Sequence, residues 1–392
     1  MGSIRDRVAI IGMGCTKFGE NWRQSSQDMM VDATYEALND AGLEPKDIEA
    51  AWVSTMWSGR SGTLASRNLR LNYIPVTRVE NLCCSGTDAL RNACYAVAAG
   101  IYDVALAVGV EKLKDSGWSG LPGPPTDVDV LPINPPNGPA PDFAQLAIGY
   151  MDKYKVPYDV MKAALAKTAV KNHHNGSLNP KAHFQREVTF EQVMNSPMVA
   201  WPLGLFDCCG VSDGSAAAIV TRADLAKNFR KDYILVKGLG VACGPEEDLS
   251  VDNWDYTYFQ EDVIAGQRVY AEAGIKDPRA EIDLIECHDC FTVTELVIME
   301  DLGISPRGKV IDDVNSGFFE LKGKLPVNPD GGLKCFGHPI GASGLRMIYE
   351  VYKQMQGKAG PRQLKKADIG LTHNLGGFPG ILTVAVGIFG RP

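Results

Sequence analysis

Four short segments hold residue types suited to nucleophilic and acid–base chemistry. In the first, Glu80-Asn-Leu-Cys-Cys-Ser-Gly-Thr-Asp, an apolar strand (Val76 to Leu82) turns into a helix at a cysteine followed by small residues. Unsatisfied N–H groups at a helix start create positive potential that favours a thiolate, so Cys83 is a candidate nucleophile, with a small buried core cysteine as the plainer alternative. The second, Gly337-His-Pro-Ile-Gly-Ala-Ser-Gly, puts His338 in a glycine-rich turn at the head of a helix, where an imidazole can activate a thiol near neutral pH. The third, Glu286-Cys-His-Asp-Cys-Phe, follows the strand Ile282 to Glu286, at the strand end where α/β proteins gather their sites. It offers His288 as a donor and Cys290 as a second thiol, against a structural or metal-binding reading of Cys-His-Cys. The fourth, Thr372-His-Asn-Leu-Gly-Gly, is a glycine-rich stretch after a strand, and its backbone N–H groups suit an oxyanion.

Two other patterns carry less. Gly12-Met-Gly-Cys-Thr-Lys begins like a dinucleotide fingerprint, but Lys17 stands where the third glycine belongs. His173 and His174, with His183, could suggest a metal, yet Asn172-His-His-Asn-Gly-Ser reads as a polar turn with no carboxylate pattern beside it. Cys287-x-x-Cys290 has no second pair at a suitable distance, so no metal is expected.

These residues need a scaffold, and the chain supplies a repeating one. Val8-Ala-Ile-Ile-Gly reads as a buried strand, Gln27 to Ala41 as a helix ended by Gly42, and Ala50-Ala-Trp-Val-Ser as a second strand. The unit recurs as a strand from Tyr233, a helix from Glu261 to Ala273 ended by Gly274, and the strand from Ile282. A helix from Ser85 to Ala99 before the strand at Val104 corresponds to Ala342 to Met355 before Ile369. The alternation implies a duplicated α/β half with parallel sheets. Between the halves, eight prolines from Leu121 to Pro141 exclude helix or central strand, and helical patterning resumes over residues 142–200.

Composition sets the outer limits. The 392 residues suggest two or three cores, and 45% hydrophobic with 22% charged residues is the balance of a globular protein. A formal net charge of −8 disfavours nucleic acid as a partner. No apolar run approaches the roughly 18 residues of a membrane span. The amino terminus shows no apolar signal core, and Asp6 stands where a myristoylation motif wants Ser or Thr, so the expected location is cytoplasmic, with the ten cysteines reduced.

Taken together, Cys-x-Ser-Gly at 83–86, His-Asp-Cys-Phe at 288–291, Gly-His-Pro-x-Gly-Ala-Ser-Gly at 337–344 and His-Asn-Leu-Gly-Gly at 373–377 give the chain its resemblance, over nearly its whole length, to the thiolase superfamily, and within it to the sterol carrier protein-type and archaeal acetoacetyl-CoA thiolases. Leu205-Phe-Asp-Cys-Cys-Gly-Val-Ser-Asp-Gly also looks like the family segment leading into a core strand. The resemblance implies the α/β thiolase fold, two βαβαβαββ halves stacked as a five-layer αβαβα core under a loop domain. On that pattern residues 1–114 and 206–230 form the N-terminal half, 115–205 the loop domain over the active site, and 231–392 the C-terminal half.

It also implies a CoA-dependent C-acyltransferase working by ping-pong transfer on 3-oxoacyl-CoA, with coenzyme A as substrate and no metal or redox cofactor. Cys83 would form the acyl-enzyme, His338 would take its proton, and the oxyanion hole would come from Cys83, Gly376 and His288, with Asn374 on the supporting loop. Many thiolases carry Asn-Glu-Ala-Phe where this chain has His288-Asp-Cys-Phe, and Cys-x-Gly where it has Asn374-Leu-Gly376, so Cys290 takes the second acid/base role. Keeping these groups argues against ketosynthase and aldolase relatives. An acyltransferase using a non-CoA carbon acceptor and a non-catalytic acyl-binding subunit are the alternatives. The expected partners are acyl-CoA and CoA, a second copy in a homodimer or dimer of dimers, and the small zinc-ribbon/OB-fold accessory subunit with which archaeal-type members often associate. Residues contacting CoA are unassigned. Trp57, Trp118 and Trp201 are candidates to line a pocket for a bulky or aromatic acyl group, against a core or interface role.

Overall fold

The computed structural model describes residues 3–115, 139–245 and 254–392. Trp118 and most of the proline-rich stretch lie outside the described residues.

The first half supplies strands β1 (Val8–Cys15), β2 (Ala50–Ser54), β3 (Val76–Val79), β4 (Val104–Glu111) and β5 (Gly214–Arg222), and the second β6 (Ile234–Cys243), β7 (Leu284–Glu286), β8 (Ile369–Phe378) and β9 (Ile381–Gly390). They form a nine-stranded sheet in the order β3-β2-β4-β5-β1-β6-β9-β8-β7. Each half thus has its first strand at the centre and its second toward the rim. The two halves join where β1 meets β6 at Ala9↔Leu235 and Ile10↔Ile234. A single parallel bridge between Ile285 and Val327 stands beside β7 as β3 stands beside β2.

The expectation of parallel sheets is corrected. Pairing is parallel for β3-β2-β4 and β8-β7, and antiparallel through the middle. The reason is connectivity: β9 returns from β8 through a tight turn at Pro379 and Gly380, and an antiparallel neighbour needs no crossover helix.

Helices lie on both faces of the strands. Helix α1 (Ser26–Ala41) opens with a capping box at Ser25 and Asp28 and closes on Gly42 at φ 71°. Helix α2 (Ser85–Ala98) follows β3, while α3 (Pro139–Tyr154) and α4 (Tyr158–Ser177) lie in the intervening segment. Helix α5 (Gln260–Ala273) closes on Gly274 at φ 76°, matching α1, and α6 (Thr292–Asp301) and α7 (Ile340–Met355) complete the second half. Strand β1 shows how the layers form: Ala9 and Ile11 pack in the outer core with α1, while Val8 and Ile10 pack in the central core with α2 and α7. The third core joins α3, α4, α5 and α6 to the second half.

Two expectations change in detail. Asn172 to Ser177 end helix α4 rather than forming a turn, because Asn172, His173 and Asn175 are buried there and bonded to Asp289 and to the Arg186 and Asn328 carbonyls. His373 to Gly377 lie within β8, which extends past its expected end because β9 pairs with it along the full length. Gly12 and Gly14 lie inside β1, where an added Cβ would meet the α1 carbonyls of Ala37 and Ala33 at 2.3 and 2.0 Å. Their smallness serves helix–strand packing.

The same constraint governs the centre. A Cβ on Gly344 of α7 would meet the Thr87 amide of α2 at 2.5 Å, and one on Gly341 would meet the Ser54 carbonyl at 2.5 Å. Overpacking a site that cannot yield costs about 1–3 kcal/mol. Gly344→Val is therefore expected to lose about that much stability in urea unfolding, and an unchanged midpoint would contradict the tight contact.

Candidate active site

The turn before α2 is built by short-range polar bonds. Leu82 sits in the left-handed region at φ 51°. The Ser85 hydroxyl donates to the Leu82 carbonyl at 2.5 Å and accepts from the Asn81 amide at 2.8 Å, and Asn81 Nδ2 donates to Asp88 at 2.6 Å. This knot holds Cys83 just ahead of the helix.

His338 reaches the same point from the start of α7. The Ser343 hydroxyl donates its one hydrogen to the Pro339 carbonyl at 3.0 Å, so its contact with His338 Nδ1 at 2.7 Å is accepted from an Nδ1–H. The lone pair is thereby assigned to Nε2, which is buried without a hydrogen-bond partner among the described residues. His288 has the opposite tautomer. Asn374 Nδ2, a donor, bonds its Nδ1 at 2.8 Å, which leaves the proton on Nε2. The two rings meet edge to face with centroids 5.0 Å apart. One donor atom from each of Cys83, His288 and His338 lies within 4.8 Å of the others. A thiol with two imidazoles is also the donor set of a soft metal ion.

Cys83, His288, Cys290 and His338 all line one cavity of about 40 Å³, with Met56, Pro139, Phe143, Phe291, Ile340, Leu375 and Gly377 among its other walls. Pro139 and Phe143 come from the segment between the halves. Gly376 and Asn374 stand behind this lining: a Cβ on Gly376 would meet the Cys83 amide nitrogen at 2.8 Å, so its backbone packs directly on the Cys83 turn. Cys290 Sγ lies 3.7 Å from the Thr294 hydroxyl. Trp57 and Trp201 are not among the lining residues; both are surface side chains, 44% and 50% exposed, Trp57 in the loop after β2 and Trp201 in a turn.

Three supports are groups to which the sequence motifs alone assign no role. Buried Glu111, at the end of β4, accepts from the amides of Met56, Trp57 and Ser58, each at 2.9 Å, and so shapes the loop that brings Met56 to the cavity. Asp289 accepts from the Leu333 amide at 2.6 Å and Asn172 at 2.7 Å, pinning the 288–291 loop. Arg346 of α7 bonds Glu286 and Asp330 at 2.6 and 2.5 Å, tying the His338 helix to the strand that leads into His288. A carboxylate ending a buried strand, as at Glu111, is the one signal that could have been followed.

The electrostatics correct one expectation. Burial, with Glu111 and Glu80 nearby, pushes the Cys83 thiol up to about 12, outweighing the helix start. Burial, with the Arg346 charge, lowers His338 to about 3, and burial with His338 lowers His288 well below its usual range. The resting site is a neutral thiol facing neutral imidazoles. Cys290 is likewise pushed well above the ordinary thiol range by burial.

A lowered histidine has a definite pH signature. Between about pH 6.5 and 3 the unfolded chain binds a proton at His338 that the folded chain refuses, so stability falls as pH drops through that window. At pH 5 the difference is about 2 kcal/mol for this one group. His338→Gln should therefore lose about 2 kcal/mol less than the parent between pH 7 and pH 5 in denaturant titrations; equal losses would place the acid sensitivity elsewhere.

The comparisons with known proteins agree with this architecture. The thiolase N-terminal domain model matches residues 8–224 and the thiolase C-terminal domain-like model residues 246–390. The chain is 39% identical to an acetyl-CoA acetyltransferase of Methanothermobacter thermautotrophicus, covering 99% of this chain and 100% of that protein. It is 32% identical to sterol carrier protein 2 of Gallus gallus, over 99% of this chain and 73% of the relative. Among solved structures, a chain of the Ltp2-ChsH2(DUF35) aldolase is similar with a TM-score of 0.85 at 28% identity, covering 100% and 99% of the two chains. A monomeric SCP2-thiolase-like protein type 1 from Mycobacterium smegmatis shares the fold at a TM-score of 0.77 and 17% identity, over 98% of this chain and 77% of that one. Family models that account for both halves of the sheet, and relatives above 30% identity along the whole chain, make this protein a member of the thiolase family and an acyltransferase enzyme.

Proposed function

We propose that the protein forms and cleaves 3-oxoacyl-CoA by ping-pong transfer through an acyl-enzyme on Cys83. The observation that carries this reading is the convergence of two imidazoles on one thiol, whose bonds to Ser343 and Asn374 assign a lone pair to His338 Nε2 and an N–H to His288 Nε2. In thiolysis Cys83 Sγ attacks the 3-carbonyl carbon while its proton passes to His338, and the oxyanion takes hydrogen bonds from the Cys83 and Gly376 amides. The C2–C3 bond then breaks. His288 donates to the thioester oxygen of the departing enolate, and Cys290 protonates its carbon to release acetyl-CoA. Incoming CoA gives its thiol proton to the Cys290 thiolate and attacks the acyl-enzyme carbonyl, and Cys83 leaves with the proton held on His338. Condensation is the reverse. A neutral resting thiol fits this sequence, because the proton needs to move only once a carbonyl is in place.

The walls beside the thiol, from Met56, Phe143, Phe291, Ile340 and Leu375, are mostly apolar, as an acyl chain requires, and the donor panel below ranks short against bulky or aromatic acyl groups. The reading divides the chain as 1–114 with 206–230, 115–205 as the covering segment that would carry the CoA contacts, and 231–392. It also includes pairing of two copies. The DUF35 component named in a structural relative supports a search for an accessory subunit. Among the described residues no helix is long and apolar enough to cross a membrane.

Peptide-level mass spectrometry after incubation with acetyl-, branched and aromatic acyl-CoA tests the assignment. The expected result is an acetyl adduct on the Cys83 peptide, absent in Cys83→Ala, whose turnover falls by more than about a thousandfold. Cys290→Ala should still acylate while losing α-proton exchange of acetyl-CoA at least about tenfold. An adduct elsewhere, or undiminished exchange, would overturn the respective role.

A further inference from the structure

Ten free cysteines are more than the reaction uses, and two of them face each other across a short antiparallel ribbon. Cys208 and Phe291 form an antiparallel bridge. One rung to one side, the Thr292 hydroxyl donates to Asp207 at 2.9 Å; one rung to the other, the Cys209 amide donates to the Cys290 carbonyl at 2.8 Å. The register therefore sets Cys209 directly opposite Cys290. Side chains alternate along each strand, so these two fall on one face and Cys208 and Phe291 on the other. Opposed residues of this kind have Cα atoms about 5.5 Å apart, inside the range of about 4.4–6.8 Å that a disulfide spans. Cys290 faces the catalytic cavity, whereas Cys209 is half-buried and the more accessible of the two. A charged Cys209 would push Cys290 up further, as expected of thiols in proximity.

We propose that Cys209 and Cys290 form a site of reversible oxidation, a cross-strand disulfide that takes the second thiol of the active site out of use. The oxidant is a peroxide. Cys209 sulfur attacks one peroxide oxygen, the O–O bond breaks, and water leaves with a sulfenic acid on Cys209; Cys290 sulfur then displaces the hydroxyl as a second water. The sulfurs lose two electrons and the peroxide gains them. A dithiol reverses the step. Cys83 keeps its thiol, so the oxidised protein still acylates but no longer moves the α-proton. That last consequence rests on the acid/base role proposed for Cys290; the disulfide does not.

The test treats the whole protein with hydrogen peroxide and maps linked peptides without reduction, using Cys208→Ser to remove the neighbouring thiol and Cys83→Ala to remove the competing one. The expected product joins Cys209 to Cys290, with α-proton exchange lost at least tenfold and regained in dithiothreitol. Cys209→Ser, and Cys209→Ala as a second variant, should keep basal exchange and resist the same peroxide at least tenfold longer. Absence of a Cys209–Cys290 link in both backgrounds, or loss of exchange at the same peroxide dose in the parent and the Cys209 variants, overturns the proposal. A Cys209–Cys290 link with exchange intact upholds the disulfide and overturns only the role given to Cys290.

Discussion

The contact between α2 and α7 sets the separation of the nucleophile's turn from the histidine's, and it is a contact between backbones. Gly86 and Gly344 leave no Cβ between the two helix starts, and Gly109 and Gly341 do the same where α7 meets β2 and β4. An inserted side chain would have to displace main chain in the centre of a sheet packed on both faces. Packed interiors respond to such insertions by shifting whole elements, because they hold almost no free volume. Cys83 and His338 come within reach because two helices from different halves of the chain begin at one place.

Around that contact, buried charge holds loops that apolar packing would leave free to choose among conformations. Arg346 reaches two carboxylates, Glu286 and Asp330, one on each approach to the 287–291 loop and the Gly331–Gly332 turn. Two carboxyls and one guanidinium cannot all be compensated as ions, and burial beside Asp330 pushes Glu286 well above the usual carboxyl range. Among the described residues Glu111 has no cation as a hydrogen-bond partner; its partners are backbone amides and hydroxyls. Breaking a buried network of this kind strands a polar group away from water, so its geometry is strongly determined. The cavity itself is mostly apolar, which is why its thiols and imidazoles rest neutral.

The asymmetry of the two histidines follows from neighbours rather than from the rings. Ser343 spends its hydrogen on a helix carbonyl and so must accept from His338, while Asn374 presents its amide nitrogen to His288. One imidazole becomes an acceptor and the other a donor at one point in space. The same residue type thus offers the thiol one acceptor and one donor.

Much of this was legible in the sequence. The strand–helix–strand units and their glycine stops at Gly42 and Gly274, both left-handed, follow from local periodicity and from the one residue that takes that conformation freely. The motifs at Cys83, His288, Cys290 and His338 were visible because small residues and glycine surround them, which is a local pattern. Strand direction was not: β5 lies antiparallel to β4, and β9 to β6, strands more than a hundred residues away in the chain, so packing rather than local pattern chose it. Nor could local pattern show that His173 ends a helix, that Trp57 and Trp201 face outward, or that Glu111, Ser343 and Arg346 support the site. Residue type and spacing determined which groups are able to do chemistry, since reactivity and turn formation are local. Only the tertiary structure decided their protonation, their tautomers and the register that sets Cys209 against Cys290, because burial and cross-strand pairing depend on residues far away in the chain.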